Sequence, residues 1–425
     1  MDAERGVVQV VHGPDPNISL KSVQPDSTPV FPGHPQVPPP PRLESSAHQQ
    51  WNPAGWLQAG PGAVAKNAWC RGAYRGRESG LLVGVDPRII YPVRHAAPQL
   101  SSNFRKHMYI VTGGAGFIGS NLVRGLNRNG IDEIVIVDDL ENGEKHLGLN
   151  SLDFADFIDW RDLQGSWEVL LGDGVEAVFH QGACSDTMEA DGRYMMEANF
   201  ESSKEVLHAC LDTETPFFYA SSASVYGDGE RGFREEVACE APLNIYAYSK
   251  FLFDQYVRRI APTAGSQIGG LRYFNVFGPQ ENHKGRMASV IYHFHKQIAE
   301  KGELRLFEGS EGFVRDFIHV DDVVALNLWL LENPDVSGIF NAGTGTERSF
   351  LDLAKLVVEG TGGKASIGTI PFPEALVGKY QAYTCADQAE LREAGCEHEF
   401  LSLEAGVASY VKQLNETGGL YLRSE

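Results

Sequence analysis

The chain lacks any CxxC pair, any long apolar run and any excess of positive charge. Its six cysteines, Cys70, Cys184, Cys210, Cys239, Cys385 and Cys396, are scattered through 425 residues. This reads as reduced thiols of a cytoplasmic protein, against a secreted disulfide framework, and no metal site is expected. No stretch approaches the roughly 20 apolar residues a membrane helix requires. The opening MDAERG has no basic segment followed by an apolar one, so no secretory signal is expected, nor is it the Arg-rich pattern of a transit peptide. Lys and Arg total 36 against 56 Asp and Glu, a net charge of -20. Nucleic acid and anionic membranes are bound by basic surfaces, so neither is an expected partner. A small anionic ligand held by local donors remains open.

Proline is scarce after residue 107, because 15 of the 22 lie before it, including the run VPPPP at 37–41. Such a segment cannot bury enough surface to offset its ordering entropy. The composition predicts a disordered extension over 1–107. Met108 opens the first strand-like run, so one reading is a wrongly assigned start, the other a regulatory or docking tail. From Met108 the pattern is α/β. Apolar strands (MYIVTGG, DEIVIVDD, AVFHQGA, FFYASSASVYG, GGLRYFNVFG, GIFNAGTG) alternate with helical stretches such as 202–212 and 246–260. That alternation predicts a doubly wound parallel sheet of Rossmann type with a smaller α/β substrate-binding domain. The expected domains are 108–275 for dinucleotide binding and 276–425 mainly for substrate. Segments interleave, with the strand near 338–345 packing by the first domain.

TGGAGFIG at 112–119 follows a strand and opens a helix. Gly113, Gly116 and Gly119 let backbone approach a pyrophosphate at the helix N-terminus, where unpaired N–H groups favour an anion. Asp138, about 20 residues on, ends the second strand where a carboxylate can hold a ribose hydroxyl. HQGACS at 180–185 puts small residues at a strand end, which suits either a cofactor or tight strand–helix packing. YAYSK at 246–250 sets Tyr246 and Lys250 four apart, on one helix face. Alone, that is an exposed pair as readily as a site. Asn275 follows a strand and can meet a substrate diphosphate or sugar. Lys284 sits in a polar loop whose spacing alone reads as exposed. Arg315 is placed to clamp a diphosphate or to pair with Asp316.

ASSASVYG at 220–227, with Tyr246 and Lys250 on a dinucleotide-binding sheet, resembles the short-chain dehydrogenase/reductase superfamily. Oxidising an alcohol removes its O–H proton as hydride leaves carbon. A free phenol, with a pKa near 10, is a poor base at neutral pH. A lysine ammonium one turn away stabilises the phenolate. Tyr246 is then the base, Lys250 its electrostatic partner and ribose anchor, and Ser222 a donor to the substrate oxygen. Related dehydratases carry an Asp-Glu pair after that serine, where this chain has Ala223 and Ser224. The resemblance therefore favours epimerisation or simple redox.

GACSDTMEADGRYMM, ENHKGRMASV and FPEALVGKYQAYT narrow the pattern. From Met108 to about residue 415 the chain resembles the ADP-L-glycero-D-manno-heptose 6-epimerase family. The resemblance implies inversion at C6″ of an ADP-heptose, a precursor of lipopolysaccharide core heptose, through a transient ketone. It implies Lys284 as a second acid/base and a homo-oligomer, pentameric in the family. For the cofactor it implies Phe117, Ile118, Lys145, Gln181, Gly182, Ala183, Cys184, Ser185, Asn199 and Val276. For the substrate it implies Arg286, His293, Phe307, Glu308, Gly309, Ser310, Arg315 and Tyr380, besides Ser222 and Asn275. Trp160 replaces a cofactor-facing lysine and Ala198 an asparagine. NADP is the family expectation. Asp139 beside Asp138 repels a 2′-phosphate, while Lys145 attracts one, so NAD is the alternative. Two other readings stay open: another nucleotide-sugar epimerase or reductase, and a non-catalytic dinucleotide sensor.

Overall fold

The computed structural model describes residues 107–172, 174–373 and 381–423. The expected disordered segment, up to residue 106, and Tyr380 lie outside the described residues. The strands are β1 (Met108–Thr112), β2 (Ile134–Asp138), β3 (Asp156–Asp159), β4 (Val175–His180), β5 (Phe217–Ser222), β6 (Ile268–Tyr273), β7 (Asn275–Phe277), β8 (Glu303–Phe307), β9 (Val314–His319), β10 (Gly338–Ala342), β11 (Glu347–Ser349) and β12 (Ser366–Ile370). Seven of them form a parallel sheet in the order β10-β6-β5-β4-β1-β2-β3. The chain builds outward from β1 to β3, then returns to β4 on the other side of β1. Connections leaving β1 and β4 thus diverge and open a crevice at the carboxyl ends of the strands.

The strands read as unbroken apolar runs because helices cover both faces. Successive strand residues point to opposite sides. Val111, Ile136, Phe179 and Phe218 pack with Leu122, Leu126 and Leu330 from the Phe117–Arg128 and Val320–Glu332 helices. Ile110, Val135, Val178 and Phe217 pack on the other face with Val206, Leu207, Phe253 and Val257 from the Ser202–Asp212 and Ile245–Ile260 helices. Among the described residues no helix is long and apolar enough to cross a membrane.

Two runs that read as single strands are divided. The run at 217–227 leaves the sheet after Ser222 and tightens into the 3-10 turn Ala223–Tyr226. The run at 269–278 breaks at Phe274: β6 stays in the large sheet, while β7 joins a three-stranded sheet ordered β11-β9-β7. Hydrophobicity cannot register this change, since both halves are buried by different partners. With the two-stranded pair β12-β8, these strands pack under the Val290–Lys301, Phe350–Gly360 and Leu403–Thr417 helices. Phe277, Ile291, Phe294, Leu306, Phe317, Leu353, Val407 and Tyr410 form their core. β10 follows several of these segments in the chain yet pairs with β6 in the large sheet.

Candidate active site

The turn after β1 is too close-packed for side chains. A Cβ on Gly113, which has a φ of +65°, would lie 2.6 Å from the Gly182 nitrogen. One on Gly119 would lie 2.1 Å from the Gly113 carbonyl oxygen. The helix that follows is N-capped by Gly116, and no side chain caps it. Its first amides are thus left to an anion. The Ala115 N–H donates to Asp138 Oδ2 at 2.8 Å, tying the turn to the end of β2. A glycine cradle with an uncapped helix start fits the pyrophosphate of a dinucleotide.

At the far end, Lys145 Nζ donates to Asp138 Oδ1 at 2.8 Å and to Asp139 Oδ1 at 3.1 Å. Trp160 Nε1 donates to Asp139 Oδ2 at 3.2 Å. Burial alone would lower the Lys145 pKa, but the two carboxylates outweigh it and hold it above the ordinary value. The strand end 180–185 forms the opposite wall. Thr112 Oγ1 accepts from the Gly182 N–H at 3.1 Å, and His180 lies between Thr112 Oγ1 at 2.8 Å and Ser203 Oγ at 2.9 Å. Burial, with Lys250 nearby, lowers the His180 pKa to about 3, so the ring is neutral.

One cavity of about 1380 Å³ joins these parts. It is lined by Gly113, Gly116, Phe117, Ile118, Gly119, Asp138, Asp139, Lys145, the 181–185 segment, Val276, Ser222, Tyr246, Lys250, Lys284 and Arg286. Asn199 is different: it is fully buried behind that wall. Its side chain accepts from the Cys184 N–H at 2.8 Å and donates to the Cys184 carbonyl and Ser249 Oγ, both at 3.0 Å. It supports the wall instead of lining the cavity.

Asn244 N-caps the Ile245–Ile260 helix, accepting from the Ala247 N–H at 2.8 Å. That start puts Tyr246 and Lys250 on the cavity side, while Tyr248 is exposed. Burial raises the Tyr246 pKa, and a hydrogen bond with Ser222 works against the rise. Lys250 donates to the Ala220 carbonyl at 2.8 Å, and burial lowers its pKa to about 8. Lys284 comes from the facing loop, its Nζ 4.9 Å from the centre of the Phe117 ring. Burial lowers its pKa, and Glu281 opposes that shift. Arg286 on the same loop pairs with Asp186 across the cavity rim, a contact with no trace in the sequence.

A second cavity, of about 190 Å³, continues past Asn275 and Val276 to Ser289, Phe317 and Phe350. Asn275 Nδ2 donates to the Asp316 carbonyl at 3.2 Å and Thr384 Oγ1 at 3.3 Å. The guanidinium of Arg315 lies 5.7 Å from the Phe350 ring centre. The Asp316 carboxylate takes donors from Thr344, Gly345 and Ala386 instead of pairing with Arg315, because neighbouring strand residues face opposite ways. His293 lies on the Val290–Lys301 helix, its Nε2 3.4 Å from the Arg286 carbonyl. Phe307 ends β8 against Phe372, Glu308 and Gly309 are exposed, and Ser310 is buried. These four and Arg315 do not border either cavity.

Residues 109–343 match the NAD dependent epimerase/dehydratase family. An ADP-L-glycero-D-manno-heptose-6-epimerase from Brachyspira hyodysenteriae is 54% identical over 316 residues, 73% of this chain and 99% of the relative. The crystal structure of Helicobacter pylori ADP-L-glycero-D-manno-heptose-6-epimerase superposes with a TM-score of 0.64 at 26% identity, covering 75% of this chain and 99% of that one. Thermus thermophilus UDP-glucose 4-epimerase, solved in complex with NAD, gives 0.63 at 27% identity, over 73% and 99% of the two chains. The chain belongs to the NAD dependent epimerase/dehydratase family and, within it, to the ADP-L-glycero-D-manno-heptose-6-epimerase family.

Proposed function

We propose that this protein inverts C6″ of ADP-D-glycero-D-manno-heptose to give the L-glycero epimer, a precursor of lipopolysaccharide core heptose. The observation that carries the reading is the meeting of Ser222, Tyr246, Lys250 and Lys284 in the cavity that also contains the glycine turn. A nicotinamide dinucleotide in that cavity supplies a hydride acceptor that becomes the donor for the return step. Gly113, Gly116 and Gly119 make room for its pyrophosphate, and Asp138 and Asp139 meet the ribose. Ser222 donates to the reacting oxygen. Tyr246 takes or gives the proton on one side, and the Lys250 ammonium, one helical turn away, makes its phenolate accessible. Inversion presents the oxygen differently in the two half-reactions, so Lys284 on the facing wall serves the second. One proton shared by Tyr246 and Lys284 lets either act as base for one epimer and as acid for the other. Asn275, which borders the second cavity, holds the ADP-heptose beyond the reacting carbon.

The proposed cofactor is NAD, in place of the NADP that the resemblance alone implies. Lys145 is already engaged by Asp138 and Asp139, so two carboxylates face one ammonium. A 2′-phosphate, with roughly two negative charges, would meet net negative charge there. A cytoplasmic homo-oligomer completes the proposal, and sedimentation of the holoprotein checks the assembly.

The test incubates the protein with ADP-D-glycero-D-manno-heptose and resolves the two epimers by NMR. Tyr246→Phe is expected to lower kcat by at least about 10²-fold. Wild-type activity in that variant would overturn the mechanism. Mass spectrometry of the released cofactor is expected to find NAD, and NADP would overturn the account of Lys145.

A further inference from the structure

The loop that presents Lys284 contains a buried acid that the mechanism above does not use. Glu281 is fully buried. Its Oε2 accepts from the Ser289 N–H at 2.5 Å, and its Oε1 accepts from the Ser289 hydroxyl at 2.5 Å and from the Tyr410 hydroxyl at 2.8 Å. The Ser289 hydroxyl oxygen also accepts from the Tyr292 N–H at 3.3 Å. Burial raises the Glu281 pKa, and nearby Lys284 together with the hydrogen bonds from Ser289 and Tyr410 works against that rise and favours the carboxylate.

The turn around it is fixed from outside. Gln280 has a φ of +76°, a left-handed conformation that non-glycine residues seldom adopt. It is held there by its N–H on the Gly419 carbonyl at 2.8 Å and its Nε2 on the Gly148 carbonyl at 3.0 Å. Asn282 Nδ2 reaches the Gly418 carbonyl at 2.6 Å, and Asn142 Nδ2 reaches the His283 carbonyl at 3.0 Å. The Lys284 N–H closes the turn on the Glu281 carbonyl at 3.0 Å.

We propose that Glu281 is the positioning residue of the second proton-transfer group: its carboxylate, gripped by Ser289 and Tyr410, fixes the turn that aims Lys284 into the cavity and places a buried negative charge near it. This rests on the reading of Lys284 as an acid/base. The carboxylate raises the Lys284 pKa against the larger effect of burial. The other titratable groups facing the pair are His283 on the turn, Tyr292 and His293 on the next helix and Tyr410 on the last one. Burial lowers the His283 pKa to about 4 and lowers that of His293, which disfavours a positive charge on either ring. It raises those of Tyr292 and Tyr410, which keep their protons. Glu281 is therefore the charge that sets how readily Lys284 keeps its proton. It does so without touching substrate.

The test is kcat against pH for the full-length holoprotein with ADP-D-glycero-D-manno-heptose. Burial lowers Lys284 while raising Tyr246, so the acidic limb reports mainly on Lys284. Glu281→Gln keeps the size of the side chain and removes the charge. Its acidic limb is expected to move down by about one pH unit, whereas Glu281→Asp keeps the limb of the wild type. A folded Glu281→Gln protein with an unmoved limb overturns the proposal, even if its activity falls. Should that variant not fold, Tyr410→Phe takes one donor from the carboxylate and makes it easier to neutralise. A smaller downward shift is then expected, and no shift overturns the proposal. Lys284→Ala separates the two claims: wild-type turnover there overturns the two-base reading beneath the proposal, whereas an inactive Lys284→Ala beside an unmoved Glu281→Gln limb overturns this proposal alone.

Discussion

At the scale of the residue, Lys250 is a cation kept where burial disfavours it. Burial lowers its pKa from 10.5 to about 8, against the pull of Asp254. The folded value lies below the unfolded one, so between these two pH values the unfolded chain binds more protons and stability rises with pH. Below about pH 8 the whole cost of the buried ammonium is present. Lys250→Met should therefore stabilise the cofactor-free protein at pH 7 by about 1–3 kcal/mol, allowing for the lost bond to Ala220. Turnover should disappear at the same time. Urea unfolding at pH 7 and pH 10 checks the sign: the gain shrinks at the higher pH. The pairing of Tyr246 with Lys250 was legible in the sequence because both lie on one helix face. Glu281 and Asp186 were not. Their partners, Tyr410 and Arg286, are 129 and 100 residues away, and no local spacing encodes such contacts.

At the scale of the element, the wall of the cavity depends on one wide turn. Residues Glu197–Glu201 form a π-helical turn that leads into the Ser202–Asp212 helix. This turn carries the buried Asn199, which grips both polar groups of Cys184 and reaches Ser249 on the Tyr246 helix. Asn199→Ala strands the Cys184 N–H and should cost about 1–3 kcal/mol of stability. It should lower kcat more than it raises KM, because wall and catalytic helix lose their common tie. Thermal unfolding and steady-state kinetics of the holoprotein test both. The sequence shows the helical stretch 202–212 that follows this turn. One extra residue in a turn leaves no periodic mark, so the π turn was invisible. The division of 269–278 between two sheets escaped for a similar reason: burial by two different partners looks the same in a single chain.

At the scale of the whole molecule, the cavity lies between the large sheet and the smaller layers that carry Lys284 and Arg286. The Arg286–Asp186 pair crosses its rim, with 55% and 31% of the two side chains exposed. An ion pair so exposed is worth at most about 1 kcal/mol. Arg286→Ala should leave the melting temperature almost unchanged while raising KM and sparing kcat. An equal loss in kcat would instead place Arg286 at the reacting carbon.

By itself the sequence determined the doubly wound sheet, the glycine turn and the placing of Tyr246 and Lys250 on one helix face, while their reading as a site with Ser222 came from the family resemblance. These depend on local period, turn chemistry and helical spacing, all written within a few dozen residues. The tertiary structure decided what faces what. It turned Asn199 away from the cavity, engaged Lys145 with both Asp138 and Asp139, left Arg315 and Asp316 on opposite faces of β9, and buried Glu281 against Ser289 and Tyr410 at the turn that carries Lys284. Each of these follows from which distant segments pack together, and packing is settled by the burial of whole faces, which no short stretch of sequence specifies.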